Sequence, residues 1–480
     1  MNEIAGHSRG DAFDPPDVPA ARWCDLFSGS SGLLMAVLSG GVALHSITLY
    51  ITASILPTVV ADIGGMPLYA WNTSAFVVAA IVGATGAVPV LQGVNARWAY
   101  IVAAMSFAAG STVCALAPGM PVMLLGRLLQ GLAGGMLLAW PYVLVHQALP
   151  PRLWPRALAL FSGMWGVATL LGPAVGGALA QYASWRLAFG ALILFSLVLA
   201  VGAAAAVDRM KSDTVAAALP MRQLALLVVA VLAASSSSLA GSALLGAFGL
   251  VGALGLLVSL GRTDQSAAAC LLPKAAYESG GILGPLYGTA ALMAISVTCT
   301  ELFVPLFLQR NQGYSPLAAG YIAAVASAGW TVGALLSASM APSKALRLAR
   351  ASPWLCALAL AVLGMTMSRP GTSPTVETTL PIVLSMMALG LGVGVAWPQL
   401  ASRIMAAAPR SEADVASGAI MTVQLLATTM SAAASGYLIE TTARTADMDL
   451  ATSAAWLFGL LVFAPIGALM IWPRDIDGCT

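Results

Sequence analysis

Few side chains in this chain could do chemistry, and most of those that could lie inside long apolar runs. Arg127 and Gln130 fall in Arg127-Leu128-Leu129-Gln130-Gly131. Three residues apart, they share one face of a helix. A guanidinium in hydrocarbon costs roughly 2.5–3.5 kcal/mol, so such a residue usually faces a cavity or a partner. Two readings are open: the pair holds a polar network that couples solute or proton binding to a conformational switch, or Arg127 snorkels outward and anchors its helix. Glu301, amid Thr298, Cys299 and Thr300, is the one carboxylate well inside an apolar run. It is a candidate proton or cation site unless its helix ends early. His45, Thr48 and Thr52, with Ser46 and Tyr50 nearby, form a stripe that could line a polar cavity, with His45 as a proton carrier or as an ordinary packing residue.

Trp140, Trp165, Trp330 and Trp397 also fall within apolar runs. Aromatic rings beside a cavity suit planar ligands, and they pack well in any core. Gln424 is a further cavity candidate. Gly166, then Gly172-Pro173 with Gly176-Gly177, supply small residues at a spacing that lets helices approach closely and a proline that permits bending. That motif reads as gating or packing, without solute contact. The six cysteines are scattered without a CxxC pair, so neither a metal site nor a disulfide framework is expected. There is no GxxxxGK[ST] loop for ATP, no nucleophile constellation and no cofactor motif. An enzyme is not expected, and a net charge of +2 gives no nucleic-acid signal.

The elements that must position these residues follow from composition. Hydrophobic residues make up 59% of the 480 and charged ones only 8%, against roughly a quarter charged in soluble domains. Most of the surface must therefore face lipid. Runs long enough to span a bilayer lie near 33–59, 72–93, 98–117, 121–148, 157–180 and 185–207. Shorter runs lie near 221–239 and 242–260, and further long ones near 284–308, 316–340, 351–368, 379–405, 413–438 and 451–472. About fourteen spans are predicted. The 221–260 stretch is a tight hairpin or an interfacial element, because Ser235 to Ser238 and Gly241 interrupt it. With the N-terminus inside, sixteen of the 21 basic residues, Arg209 and Lys211 among them, fall on the cytoplasmic side, four (Arg186, Arg310, Arg369, Arg444) outside, and Arg127 within a span. That asymmetry predicts a multi-pass inner-membrane protein with both termini cytoplasmic.

Ala139-Trp140-Pro141 and Ala396-Trp397-Pro398 each follow a glycine-rich stretch late in a span of the same direction. They suggest two related six-helix halves working by alternating access around a midplane site, with Leu384 opposite Arg127. The expected division is a cytoplasmic tail over 1–30, a six-helix bundle over 31–207, a linker with two additional helices over 208–280, a second bundle over 281–472 and a tail over 473–480. Asp11, Asp14 and Asp17 ahead of any apolar run speak against a secretory signal.

At these residues the chain resembles the major facilitator superfamily, in its fourteen-span drug:proton antiporter branch. Arg127 to Gly131 is similar to the family's fourth-helix motif. Gly172-Pro173 with Gly176-Gly177 and Ser184-Trp185-Arg186 is similar to its fifth-helix antiporter motif. Ile55-Leu56-Pro57 leading to Asp62-Ile63-Gly64-Gly65, and Gly313-Tyr314-Ser315-Pro316 with Ala319-Gly320, match further positions. The resemblance implies an all-α membrane fold of two six-helix bundles plus two central helices. It also implies proton coupling through the fourth-helix motif. Two acidic positions of the family are missing: Gln92 stands where the loop aspartate is expected, leaving Arg97, and Thr48 stands near a first-helix aspartate. The expected activity is proton-linked export of a small organic solute by a monomer in lipid. The alternative is uptake of a planar vitamin such as riboflavin.

Overall fold

The computed structural model describes residues 22–27, 31–65, 68–207, 220–237, 242–369, 374–444 and 450–473. The expected tails lie largely outside these residues, as do Arg209 and Lys211. A short helix, Trp23–Leu26 (α1), precedes Ser31–Ile63 (α2), Tyr69–Gly93 (α3), Ala96–Ala115 (α4), Met120–Ala148 (α5), Trp154–Tyr182 (α6) and Trp185–Ala206 (α7). Met221–Ser237 (α8) and Ala243–Ser266 (α9) follow, then Leu283–Asn311 (α10), Pro316–Ser339 (α11), Pro342–Met367 (α12), Val376–Ala407 (α13), Ala413–Arg444 (α14), Leu450–Leu461 (α15) and Phe463–Ile471 (α16). Among the described residues thirteen helical segments are long and apolar enough to cross a membrane, and α8 is a shorter apolar helix antiparallel to α9. This is a multi-pass all-α membrane protein, with large exposed apolar side chains such as Leu194, Val198, Val201, Leu254 and Val258 presented where lipid would lie. The last predicted span is one membrane crossing broken at Val462: Pro465 has no N–H to close the turn, and the bond from Ile466 to the Val462 carbonyl is stretched to 3.4 Å.

Helices α2–α7 form one bundle and α10–α16 a second. The tightest pairing in the first is α3 with α5, and in the second α11 with α13. Glycines make both. A Cβ on Gly131 would strike the Phe76 carbonyl, one on Gly135 the Ala80 carbonyl, and one on Gly83 the Leu132 carbonyl. In the second bundle Gly390 abuts the Ala326 carbonyl, Gly394 that of Trp330 and Gly333 that of Leu391. These three interlocks repeat in one register and reveal two related halves. They also correct the alignment drawn from the Ala-Trp-Pro triplets. Matching Gly131 to Gly390 sets Arg127 opposite Met386, which is fully buried, and not Leu384, which is 58% exposed. Two residues are some 200° of helical turn. Trp140 and Trp397 therefore point to opposite faces and are not counterparts.

Turn chemistry fixes the helix ends. Gly64 (φ +72°) and Gly65 (φ +88°) stop α2 in the left-handed region, where a side chain is strained. After α10, Gly313 (φ +69°) lets the chain reverse so that the Tyr314 N–H reaches back to the Leu308 carbonyl at 3.0 Å, satisfying one of the free carbonyls of the helix end. Ser315 then accepts the Ala318 N–H to start α11.

Take the end of the molecule at which α2 begins as the near end. Between that end and the middle, the two bundles meet repeatedly. Gly166 of α6 leaves room for Thr331 of α11, and Gly418 of α14 packs on Val88 and Val143. Thr85 meets Thr422 at 3.5 Å, and His146 lies 3.9 Å from Asp414. Helix α1 crosses the same seam: the Trp23 indole N–H donates to Ser339 at 3.0 Å, and the Arg156 guanidinium lies 6.0 Å from the Trp23 ring.

Candidate functional site

Above that seam lies a cavity of about 540 Å³, within the usual range for small-molecule sites. Its walls come from both bundles: Tyr50, Ser74 and Trp165 on one side, Glu301, Ser327, Trp330 and Gln424 on the other. Leu49, Val77, Val78 and Leu425 make much of the remainder apolar.

Glu301 stands in the middle of α10, and the expectation that it lies inside a span holds. The Ser327 hydroxyl donates to its carboxylate at 2.5 Å. Tyr50 of the opposite bundle faces the same carboxylate, with its hydroxyl near Thr169 and Ser327. Among the described residues no cation is paired with Glu301. The two ion pairs found there are His146–Asp414 and Arg186–Asp62. Tyr50 and Ser327 carry more of this site than the sequence pattern indicated. The signals were the polar run Ser327, Trp330, Thr331 and the set Gln424, Thr428, Thr429, each at helical spacing inside an apolar helix.

Of the aromatic candidates, Trp165 and Trp330 line the cavity. The Trp330 indole N–H has no hydrogen-bond partner. Trp397 lies behind it, ring centroids 5.6 Å apart. Trp140 is away from the cavity, its indole N–H donating to the Ala87 carbonyl at 2.7 Å and its ring against Tyr100. The Thr48 hydroxyl is spent on the Leu44 carbonyl at 2.7 Å, so Thr48 packs.

Arg127 and Gln130 do not line the cavity. Both are fully buried where α3, α4 and α5 meet. Arg127 Nη1 donates to Gln130 Oε1 at 2.9 Å, and its Nε to the Asn72 carbonyl at 3.3 Å. Gln130 Nε2 donates to Ser111 at 2.7 Å, and the guanidinium stacks 4.2 Å from the Phe76 ring. The snorkelling alternative is excluded by this inward geometry. His45 bridges the two regions: its ring is 5.2 Å from Phe76 and 6.1 Å from Trp165, in space that Gly134 leaves open. A contiguous line thus runs from the cavity wall through Trp165, His45 and Phe76 to Arg127. Along it, His45 Nδ1 and both polar atoms of the Asn72 side chain are buried without hydrogen-bond partners.

The fifth-helix motif divides. Gly172 and Gly176 sit against Tyr50, Ile51 and Ser54 of α2, and Gly166 against Thr331. Pro173 is exposed, and Gly177 has open space where a side chain would go. Arg97, the retained charge of the altered loop, donates to the Val207 carbonyl at 2.8 Å, closing the end of α7. At the far end Asp62 accepts from Arg186 at 2.6 Å and from the Trp185 indole at 3.0 Å, which joins two motifs that are distant in sequence. No cluster able to hold a metal ion occurs among the described residues.

The Major Facilitator Superfamily profile matches residues 38–432. A Mycobacterium tuberculosis protein named "Probable multidrug-efflux transporter" is 35% identical over 433 residues, covering 87% of this chain and 90% of its own. A Streptomyces coelicolor protein named "Probable actinorhodin transporter" is 28% identical over 453 residues, covering 89% and 74%. In fold, the proton:xylose symporter XylE superposes with a TM-score of 0.66 at 12% identity, covering 92% of this chain and 96% of that one. The human organic anion transporter MFSD10 gives 0.63 at 15%, covering 90% and 99%.

Proposed function

This chain belongs to the major facilitator superfamily, and from that premise we propose that it exports a small, largely apolar organic solute across the bacterial inner membrane in exchange for protons. The observation that carries the reading is Glu301: a carboxylate in a cavity between two bundles, with no cation paired to it among the described residues. A charge in apolar surroundings must be neutralised, and here a proton or a cationic solute would do so. Competition between the two for one carboxylate is the simplest coupling of an antiporter. Efflux named for the mycobacterial relative supports the direction. Trp165, Trp330 with its unused indole N–H, Tyr50 and Gln424 are the solute contacts in this reading.

The bundles of 31–207 and 281–472 rock against each other, with 208–280 linking them. The near end is cytoplasmic, in line with the basic-residue asymmetry. Closed there, the molecule offers its cavity outward. Glu301 takes a proton from the outer side as solute leaves, and returns it inside when solute enters. Arg127, Gln130 and His45 sense this through the line to Trp165. The chain acts as a monomer with lipid, protons and solute as its partners. Uptake of riboflavin, the alternative from sequence, gains no support from these relatives.

Proteoliposomes loaded with ethidium test the proposal. An imposed proton gradient is expected to drive ethidium flux, and Glu301→Gln, which holds the site in its protonated form, is expected to bind ethidium more weakly, read as a smaller thermal stabilisation, and to lose concentrative transport. A normal accumulation ratio in Glu301→Gln would remove that carboxylate from the mechanism. Gradient-independent flux in the wild type would end the proton-linked reading.

A further inference from the structure

The two central helices are more than a link. Helix α8 fills the slot between α3 and α14, and Ser235 reaches the cavity lining. An apolar seam seals the slot: Ile81 of α3, Leu227 and Val231 of α8 and Leu260 of α9 are buried together, with Leu425 and Leu426 of α14 beside them. Without α8, this flank of the cavity would open to lipid.

The fastenings of the hairpin are unequal. At the far end the Tyr437 hydroxyl of α14 donates to the Ala243 carbonyl at 2.8 Å, and Gly246 makes room for the Tyr437 ring. At the near end the returning chain is tied down by the buried Asp264 carboxylate. It accepts from the Leu271 and Leu272 amides at 2.7 and 3.1 Å and from the Tyr277 hydroxyl at 2.9 Å. Gln223 of α8 donates to the Ala269 carbonyl at 2.8 Å, and the Ala275 amide donates to Glu412, just ahead of α14, at 3.4 Å. These polar ties run to the second bundle or to the returning chain. Against α3 the contacts named above are apolar side chains, whose packing is non-directional.

We propose that the α8–α9 hairpin is a fixed wall of the solute cavity, carried by the second bundle and sliding over α3, with Ser235 a specificity-determining contact. The sliding rests on the alternating-access reading above, whereas the wall does not. In full-length protein with its cysteines replaced, Ser235→Cys is expected to react with a water-soluble methanethiosulfonate at least tenfold faster than Val229→Cys, on the exposed face of the same helix. Equal rates would overturn the wall without reference to any transported solute. For the motion, cysteine pairs are joined by a short thiol cross-linker and ethidium flux is measured before and after. Joining Ile81→Cys to Leu227→Cys is expected to abolish flux, and joining Gly246→Cys to Tyr437→Cys to leave it within about twofold. The reverse pattern, or loss in both, would overturn carriage by the second bundle. Ser235→Trp is expected to raise the KM for ethidium tenfold or more. An unchanged KM in Ser235→Trp would remove Ser235 from solute contact.

Discussion

Arg127 keeps a guanidinium in an apolar interior, and among the described residues no carboxylate pairs with it. Its charge is spread over the Gln130 side-chain oxygen, the Asn72 carbonyl and the Phe76 ring. That arrangement makes Gln130 the sensitive member: Gln130→Leu would leave a buried cationic donor unmatched. Stranding such a group costs about 1–3 kcal/mol or more. Thermal unfolding in detergent should show Gln130→Leu clearly less stable than wild type, while Gln130→Glu, which restores an acceptor, recovers most of the difference. Identical melting curves for Gln130→Leu and wild type would mean that the network contributes no stability.

At the scale of helices, glycine decides which pairs can approach. Gly172 lies against the backbone and Cβ of Tyr50, whereas Gly177, five residues on, faces open space. Gly172→Ala should therefore destabilise by about 1–3 kcal/mol through overpacking, and Gly177→Ala should stabilise by about 0.5–1 kcal/mol by lowering the entropy of the unfolded chain. Parallel thermal shifts of the two variants would show opposite signs, and shifts of one sign would contradict this division of the motif. The short helix α1 works as a strap. With Gln92 in place of the expected loop acid and Arg97 committed to the end of α7, Trp23 and Ser339 supply a cross-bundle tie at the near end. Trp23→Ala should raise the reactivity of a cysteine placed at Ala338, buried under Trp23 in the closed seam, by several-fold toward a reagent applied from that side. Unchanged reactivity would deny the strap a role in closure.

For the molecule as a whole, closure at one end and a cavity above it are set by where the bundles touch. The far end has its own brace within the first bundle, Asp62 with Arg186 and Trp185. Hydrogen bonds from Arg186, then from Trp185, hold the Asp62 carboxyl below its ordinary value of 3.8. A carboxylate whose folded value is depressed contributes fully above its unfolded value and loses that contribution as pH falls through the lowered one. The brace should thus be constant from pH 8 to about 5 and fade only below the ordinary carboxylate range. Both side chains are substantially exposed, so the effect on stability is small and screened by salt. Spin labels at the ends of α2 and α7 should report one unchanged distance over pH 5–8, and a change within that window would assign the brace a different titrating group.

Composition and run length by themselves determined that this is a many-span helical membrane protein, because 8% charged residues cannot cover a water-exposed surface. Glu301 was legible for the same reason: a carboxylate in a long apolar run stands out without any fold. The existence of a repeat was legible too, but its register was not. Trp-Pro recurs in both halves, yet only the interlocking of Gly131 with Phe76 and of Gly390 with Ala326 shows which positions correspond. Tertiary structure alone sorted the remaining candidates, since on a helix buried all round periodicity cannot say which buried face meets a cavity. It set Trp165, Trp330 and Gln424 on the cavity and Trp140, Trp397 and Thr48 in packing. It brought Tyr50 and Ser327 to Glu301 from helices far apart in sequence, a juxtaposition that depends on how two bundles lean together.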